Sequence, residues 1–299
     1  MDADAGGAYN PARGVRLALL DGNTVLLIED DNANTVLRMD LVTGRATIIS
    51  GNELLGLVGT GPSFGNIIDV AVVDGGSALV VDTGNSGIMS VGLVDGTRAI
   101  VSDATTGTGP DFREVHVAEI DMAGSRALIG HTPPGGVGGA LVAVDLMTGN
   151  RTVISDATNG SGPALPSRMT DLVLDLTNNR ALVLGSGQLL AVDLTSGDRT
   201  EISPDDGVGP GSPRYFGMTL DAASDRVLVC ETEFDSIRAI DLTSGARMVI
   251  SDGTTGTGTP FEHPVDITLD GTRALVWDAV RNKIVAVDLA TGNRTDIGG

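Results

Sequence analysis

The segment Val144-Asp-Leu-Met-Thr-Gly-Asn-Arg151 decides the fold, because five close copies of it occur elsewhere in the chain. Each copy contains one turn glycine, and these glycines are Gly44, Gly96, Gly149, Gly197, Gly245 and Gly292. They follow one another at intervals of 47 to 53 residues. Each lies between two short apolar segments, where a glycine with positive φ can close a hairpin. The sequence therefore contains six repeated units.

Each unit contains four short apolar segments separated by turn signals, and no segment has an apolar period of 3.6 residues. In the last unit the segments are 266–270, 273–277, 283–287 and 294–297. Four-stranded units repeated at this length are typical of β-propellers. We therefore predict an all-β, six-bladed β-propeller with four antiparallel strands per blade, in a single domain spanning 1–299. The blades are predicted at about 14–50, 66–103, 114–156, 168–203, 214–252 and 263–299.

The two ends of the chain raise the question of how the ring closes and where the protein resides. No strand is shared between the first and last units, so we expect blades 1 and 6 to pack face to face, unless residues 1–13 add a strand. The start of the chain has no basic region followed by an apolar stretch, so no signal peptide is predicted. This start would suit a mature exported bacterial domain that has gained a methionine, but the sequence does not reveal the compartment.

The composition excludes several classes of partner. The chain has 19 Lys and Arg against 39 Asp and Glu, which gives a net charge of −20. Such a polyanion repels phosphate backbones and anionic lipid headgroups, so we expect neither nucleic-acid nor membrane binding. No apolar run is long enough for a transmembrane helix. The single cysteine, Cys230, excludes an internal disulfide and is expected to be buried. We expect a monomer.

The repeat length and strand phrases such as Pro264-Val-Asp-Ile-Thr-Leu-Asp resemble the six-bladed propellers of the NHL, gluconolactonase (senescence marker protein) and paraoxonase group, from about Val15 onward. That resemblance implies either a calcium-dependent lactonase or arylesterase, or a binding module without catalysis. Those enzymes usually place Glu, Asn and Asp ligands just before the inner-strand glycine. Here Thr170, Phe216 and Val265 occupy the corresponding positions, and acidic residues follow one residue later.

The residues at the entry of each inner strand are the candidate site, because they point toward the central channel of a propeller. We aligned the inner strands on the Asp that ends most of them and on the following Arg-Ala-Leu-Val phrase. The entry residues of blades 1 to 6 are then Arg16, Asp69, His116, Asp171, Gly217 and Asp266. Carboxylates therefore stand on alternate blades, and His116 lies between two of them.

Converging carboxylates must be protonated or neutralised by a cation. Ligation by Asp69, Asp171 and Asp266 favours Ca²⁺ or Mg²⁺, and participation of His116 shifts the preference toward Mn²⁺, Fe²⁺ or Zn²⁺. We predict a divalent metal, with Ca²⁺ preferred. The alternative is that Arg16 forms ion pairs with its neighbours Asp69 and Asp266.

The chain has three histidines, and all map to the face on which the inner strands begin. His131 ends the second strand of blade 3, and His263 lies just before the inner strand of blade 6. We hypothesise a metal-dependent hydrolase of a small-molecule lactone, aryl ester or phosphotriester, in which His131 or His263 moves the proton and Arg16 stabilises negative charge. The alternative is that the three histidines are solvated or structural.

Other functions have weaker sequence support. A non-catalytic propeller that binds a glycan, peptide or protein is the main alternative, although aromatic residues, which such sites favour, are scarce at 3%. A polysaccharide lyase would need a cationic groove, which the acidic rim does not offer. The glycine-rich segments 102–110 and 155–163 lack the Gly-Lys-Ser/Thr of a phosphate loop and are predicted to connect blades.

Overall fold

The computed structural model of the chain describes residues 16–29, 34–51, 58–112, 114–133, 135, 138–204 and 215–297. These residues form six four-stranded antiparallel sheets, which confirms the predicted six-bladed β-propeller. In every sheet, strands adjacent in sequence are paired. The only regular helical segments in this part of the chain are two single 3₁₀ turns, Leu176–Asn178 and Ala222–Ser224. No helix within it could cross a membrane.

The strands are five or six residues long in most cases, and the first strands of neighbouring blades contact one another to form the inner ring. Blades 1 to 3 contain β1 (Arg16–Asp21), β2 (Thr24–Glu29), β3 (Thr35–Asp40), β4 (Ala46–Ser50), β5 (Ile67–Asp74), β6 (Ser77–Asp82), β7 (Gly87–Gly92), β8 (Arg98–Ser102), β9 (Val115–Asp121), β10 (Arg126–His131), β11 (Ala140–Asp145) and β12 (Arg151–Ser155). Blades 4 to 6 contain β13 (Asp171–Asp175), β14 (Arg180–Gly185), β15 (Gln188–Asp193), β16 (Arg199–Ser203), β17 (Tyr215–Asp221), β18 (Arg226–Glu231), β19 (Ser236–Asp241), β20 (Arg247–Ser251), β21 (Pro264–Asp270), β22 (Arg273–Asp278), β23 (Lys283–Asp288) and β24 (Arg294–Asp296).

The hydrophobic core lies between the blades. Second strands such as β14 consist mainly of consecutive apolar residues, because each blade packs against a neighbouring blade on both of its faces. The buried apolar residues of the described chain form six clusters, each between two adjacent blades. Aliphatic side chains supply most of this packing, in keeping with the scarcity of aromatic residues.

The repeated turn phrase closes the hairpin between the third and fourth strands. In blade 3, Asp145 Oδ1 accepts hydrogen bonds from the backbone N–H groups of Met147 (3.0 Å) and Thr148 (2.7 Å). Gly149 follows with φ 72°, a conformation that costs glycine little. The Asp and the Gly therefore define the turn together. The side chain at the tip of the turn, which is Met147 in blade 3, is free to vary.

A repeated clamp joins consecutive blades at the rim. In blade 3, Arg151 Nη1 donates to Ser102 Oγ at the end of blade 2 (2.8 Å), and Ser102 Oγ donates to the carbonyl of Gly149 (2.7 Å). The Arg151 guanidinium also lies 5.2 Å from the Phe112 ring centre. The same Ser–Arg pairing joins the other consecutive blades through Ser50–Arg98, Ser155–Arg199, Ser203–Arg247 and Ser251–Arg294.

The ring closes where blade 6 meets blade 1. Each of these blades has its own four strands, and they pack face to face through a cluster that includes Leu17, Leu27, Trp277 and Ile284. The extra strand considered for residues 1–13 lies outside the described residues. Contacts between β1 and β21 complete the inner ring.

Candidate active site at the axial channel

The inner strands place Arg16, Asp69, Asp171 and Asp266 at equivalent positions around the axis, as predicted. Strand register shows this equivalence, because Asp69 pairs with Val81, the residue before the end of the second strand of its blade. Asp266 pairs with Trp277 in the same way. All four residues line one cavity.

The position predicted for His116 requires a correction. In blade 3 the residue equivalent to Asp69 is Val117, which pairs with Gly130. The error comes from β-bulges: β1 and β5 each shift register just before their final Asp, whereas β9 runs regularly up to Asp121. Counting back the same number of residues in blade 3 therefore goes one residue too far.

His116 lies between blades 3 and 4. Its Nδ1 accepts a hydrogen bond from the Met169 backbone N–H (3.3 Å), and its Nε2 lies 3.5 Å from Thr132 Oγ1. Burial, followed by the nearby Arg168, lowers the pKa of His116. Since it is not among the residues that line the axial cavity, it does not join the three aspartates.

Arg16 is the only cationic side chain among the described residues that line the channel. Its Nη1 lies 3.3 Å from Asp266 Oδ1 and 3.7 Å from Asp171 Oδ2. Its Nη2 donates to the carbonyl of Thr170 (2.8 Å). Burial acts to lower the pKa of Arg16, but the carboxylates of Asp266, Asp171 and Asp69 raise it overall, so the guanidinium stays charged.

This arrangement differs in one partner from the ion pairs considered above. Arg16 pairs with Asp266, as that alternative expected, but its second partner is Asp171 on blade 4. Asp69, on the neighbouring blade 2, is not within ion-pair distance of Arg16. The guanidinium therefore reaches across the axis and does not pair with both neighbouring blades.

Each axial aspartate also binds the next blade. Asp69 Oδ2 accepts the backbone N–H of Ala118 (2.8 Å) on blade 3, and Asp171 Oδ2 accepts that of Met218 (2.5 Å) on blade 5. Asp266 Oδ2 accepts the N–H of Leu17 (2.5 Å) on blade 1. These three hydrogen bonds, which we call the axial latches, stand at alternate blade interfaces. The sequence pattern gave the positions of the aspartates but not this structural role.

Glu119 is a channel residue that the sequence analysis missed. It lies two residues after Val117, so the alternation of a strand turns its side chain toward the channel. It lines the cavity one layer beyond the aspartates, where Ala18 and Ala71 leave space. An ionisable residue two positions after the ring position was the signal that could have revealed it.

The buried carboxyl groups of the channel hold protons more tightly than usual. Burial, reinforced by Asp69 and Asp171, raises the pKa of Glu119 to about 8. Burial likewise raises the pKa of Asp69 to about 6, although Arg16 opposes this shift. The pKa values of Asp171 and Asp266 are also raised by burial, against the opposing effect of Arg16. For the three aspartates, burial therefore outweighs the single guanidinium.

The two remaining predicted catalytic residues lie away from this cavity. His131 ends β10, as predicted, but it is buried and meets the Phe112 ring edge-on at 5.9 Å between centres. His263 is half-buried before β21, with its ring 6.5 Å from that of Phe216. Neither histidine lines the axial cavity, so the structure does not bring them together with Arg16.

The predicted ligands of a metal ion do not form one set. His116 lies elsewhere, Asp171 and Asp266 face a guanidinium, and the oxygens of the aspartates accept backbone N–H groups. The part of the chain that the structure describes contains no group of three or more His, Cys, Asp or Glu side chains placed to hold a metal ion. The residues thus do not fit the predicted centre in this arrangement. The metal stays a prediction, and no step below depends on it.

The axial cavity has a volume of about 460 Å³ and is lined by the inner strands of all six blades. Its charged residues are Arg16, Asp69, Glu119, Asp171 and Asp266. Four carboxyl groups thus share the space with one guanidinium. A cavity of this size accommodates a small molecule, and buried ionisable groups with displaced pKa values are typical of reactive sites.

No protein-family model and no curated protein matches the chain. Among solved structures it is similar to a streptogramin B lyase, with 14% identity, a TM-score of 0.62, and coverage of 97% of this chain and 84% of that chain. For virginiamycin B lyase from Staphylococcus aureus the values are 16%, 0.59, 95% and 83%. For a chain of the nidogen/laminin complex they are 13%, 0.60, 78% and 78%.

These similarities confirm the expected resemblance to this broad group of propellers. At such identities they establish the fold alone. The neighbours include both a lyase and a component of a protein–protein complex, so the fold by itself does not distinguish catalysis from binding.

Proposed function

We propose that the axial channel binds and hydrolyses a small ester, with lactones, aryl esters and phosphotriesters as the candidate substrates. The observation that carries this proposal is the convergence of one guanidinium and four carboxyl groups on a single cavity of about 460 Å³. Rigid inner strands hold all five side chains, which suits a preorganised site.

Arg16 is the group proposed to stabilise negative charge on the carbonyl or phosphoryl oxygen. Its guanidinium has more N–H donors than its contacts with Asp171, Asp266 and Thr170 use. Charge stabilisation of this kind by preorganised donors is a major source of rate enhancement.

Glu119 is proposed to move the proton. It faces the cavity, and unlike the three aspartates it does not latch a neighbouring blade. Above its pKa of about 8 the ionised group would act as a general base and take a proton from water, whose oxygen then bonds to the carbonyl carbon or phosphorus. The bond to the leaving alcohol breaks, and the same group returns the proton to the alcohol oxygen. The excess of carboxyl groups favours neutral or cationic substrates over anionic ones.

The experiment is a screen of purified protein against uncharged lactones, aryl esters and phosphotriesters. It is run after dialysis against EDTA and again with added Ca²⁺, Mn²⁺ or Zn²⁺. Glu119→Gln should lower kcat by at least about 100-fold, the contribution expected of a general base. The matched control is Glu201→Gln, an exposed residue of the outer strand of blade 4.

Two results of the screen would contradict specific parts of this scheme. Turnover that is unchanged in Glu119→Gln would remove Glu119 from it. Turnover that appears only with an added metal ion would instead favour the metal-dependent hydrolase predicted from the sequence. Absence of turnover in every arm would favour the second candidate function.

The second candidate is a non-catalytic binding propeller. One observation favours it: the axial latches give Asp69, Asp171 and Asp266 a structural role that needs no substrate. In that case a small ligand or partner would bind at the channel mouth without being converted. Ligand-dependent stabilisation without turnover, measured by thermal unfolding of the intact chain, would support it.

A further inference from the structure

Asp266 contacts both the backbone and the side chain at the start of blade 1. Its Oδ2 accepts the N–H of Leu17 at 2.5 Å, and its Oδ1 lies 3.3 Å from Nη1 of Arg16. Since Arg16 and Leu17 are consecutive, one carboxylate from the last blade fixes the backbone of the first blade and directs its guanidinium. Ring closure and the placement of Arg16 therefore depend on the same side chain.

Gly217 provides the space that this carboxylate occupies. A Cβ atom at Gly217 would lie 2.5 Å from both the Cα and Oδ1 atoms of Asp266. Such a contact is too close to be tolerated without movement. The φ angle of Gly217 is not in the left-handed region, so close approach explains this glycine better than backbone conformation does.

Asp69 offers an internal comparison for Asp266. It makes the equivalent axial latch, to Ala118 at 2.8 Å, but is not within ion-pair distance of Arg16. Asp69 and Asp266 therefore share the structural contact and differ in the contact with the guanidinium. A substitution that keeps the hydrogen-bond acceptor and removes the charge separates the two roles.

We propose that Asp266 is a positioning residue, which sets the orientation of Arg16 in the axial channel through the closure of blade 6 on blade 1, with Gly217 making room for it. The orientation itself does not depend on the proposed hydrolysis. Only its consequence for turnover rests on that proposed function.

The test is the rate at which an arginine-selective dicarbonyl reagent modifies Arg16 in the intact protein, measured by peptide mass spectrometry. Arg273 in blade 6, whose side chain is 39% exposed and pairs with Asp270, serves as the internal reference. Asp266→Asn can still accept the Leu17 N–H but loses its charge, so the modification rate of Arg16 should rise roughly fivefold, the scale of a partly buried ion pair. Asp69→Asn is the matched control and should raise that rate less, because Asp69 acts on Arg16 only through a longer-range charge interaction.

A second variant affects the position of Asp266 without changing its charge. Gly217→Ala should displace Asp266 and raise the modification rate of Arg16 in the same direction. Circular dichroism and the Arg273 rate check that each variant is folded. Equal Arg16 rates in Asp266→Asn and Asp69→Asn, or an unchanged rate in both Asp266→Asn and Gly217→Ala, would overturn the positioning role.

If a substrate is found, a double-mutant cycle links the orientation to turnover. Asp266→Asn should lower kcat/KM in the native background and cause no further loss in an Arg16→Met background, because its effect acts through Arg16. A purely structural role would give the same loss in both backgrounds and would contradict the positioning role. If no substrate is found, the proposed hydrolase fails while the modification rates still decide the orientation.

Discussion

The rim and the axis of this propeller join the blades in different ways. At the rim the same Ser–Arg clamp occurs at the five interfaces between consecutive blades, for example between Ser102 and Arg151. At the axis, latches occur at alternate interfaces, and the ring positions carry Arg, Asp, Val, Asp, Gly and Asp from blade 1 to blade 6. The clamp that repeats at the rim indicates a structural role. The ring residues that differ from blade to blade at the axis indicate the place of a specific site.

The two regions also handle charge differently. Rim arginines such as Arg151 and Arg199 donate mainly to hydroxyl and carbonyl oxygens of their own blade interface. The axis instead gathers four carboxyl groups around Arg16. Such a concentration of like charge opposes folding and is retained in proteins chiefly at functional sites.

The largest effect is expected when a rim clamp is removed. Arg151→Ala loses hydrogen bonds to the buried Ser102 Oγ and to the half-buried carbonyls of Asp103 and Pro110, and it leaves these acceptors without that donor. We expect the free energy of unfolding to fall by about 4 kcal/mol. Denaturant unfolding measures this loss. The neighbouring exposed residue Thr152 provides the control Thr152→Ala, and equal losses for both variants would contradict a special role for the clamp.

The sequence was sufficient to predict the features that repeat. The turn glycines, exemplified by Gly149, predicted the number of blades, and the end of the second strand of blade 3 was placed correctly at His131. The error occurred at His116, because the bulges in β1 and β5 change the residue count without leaving a recognisable sequence signal. Local irregularity therefore limits alignment by counting even in a clear repeat.

The roles of the axial residues were harder to predict than their positions. That Asp69 faces the axis follows from the repeat, but its hydrogen bond to Ala118 depends on the distance between two blades, which the sequence does not encode locally. Arg16 reaches Asp171 on blade 4 for the same reason. Glu119 was missed because only the first inward position of each strand was considered.

The next effect concerns Glu119, whose carboxyl faces Asp69 and Asp171 in the channel. Its pKa is about 8 in the folded protein against an ordinary value of 4.5, so folding favours its protonated form. The stability that this proton provides is fully present below pH 4.5 and is lost as the pH rises to 8. Glu119→Gln cannot ionise and should be more stable than the native protein above pH 8, by about 2 kcal/mol after allowing for water in the channel.

The measurement is urea unfolding at pH 4 and pH 9 in the presence of EDTA. At pH 4 the two proteins should be almost equally stable. Glu119 is then protonated in the folded chain and mostly protonated in the unfolded chain. Glu201→Gln, at an exposed position, should show no such dependence. A stability difference for Glu119→Gln that does not change between these pH values would contradict a protonated Glu119 in the folded channel.

A smaller effect distinguishes the guanidinium from a metal ion at the axis. In Arg16→Ala the carboxylates of Asp171 and Asp266 lose their cationic partner. Added Ca²⁺ should then stabilise the variant by about 1 kcal/mol at a few times its Kd, and should stabilise the native protein less. Thermal unfolding at matched ionic strength, with Na⁺ as control, gives the comparison. Equal or greater stabilisation of the native protein would instead support the predicted metal centre beside Arg16.

The smallest effect is expected at a turn tip, where the repeat leaves the side chain unconstrained. Met147 is 92% exposed, and the corresponding residue of blade 4 is Thr195. Met147→Thr should therefore change the free energy of unfolding by no more than about 0.5 kcal/mol. Gly149→Ala, in the same turn, should cost more than about 1 kcal/mol, because φ is 72° and a Cβ atom would lie 2.4 Å from the carbonyl of Val101.

Denaturant unfolding of both variants tests whether a position in the repeat matters only when it is bonded or packed. A loss for Met147→Thr as large as that for Gly149→Ala would show that the tip makes a contact within the folded protein or with another molecule. Repeating the measurement over a range of protein concentrations separates these two causes, since only an intermolecular contact makes the loss depend on concentration. If Met147→Thr does not change the free energy of unfolding, Asp145 and Gly149 are the residues that define the turn.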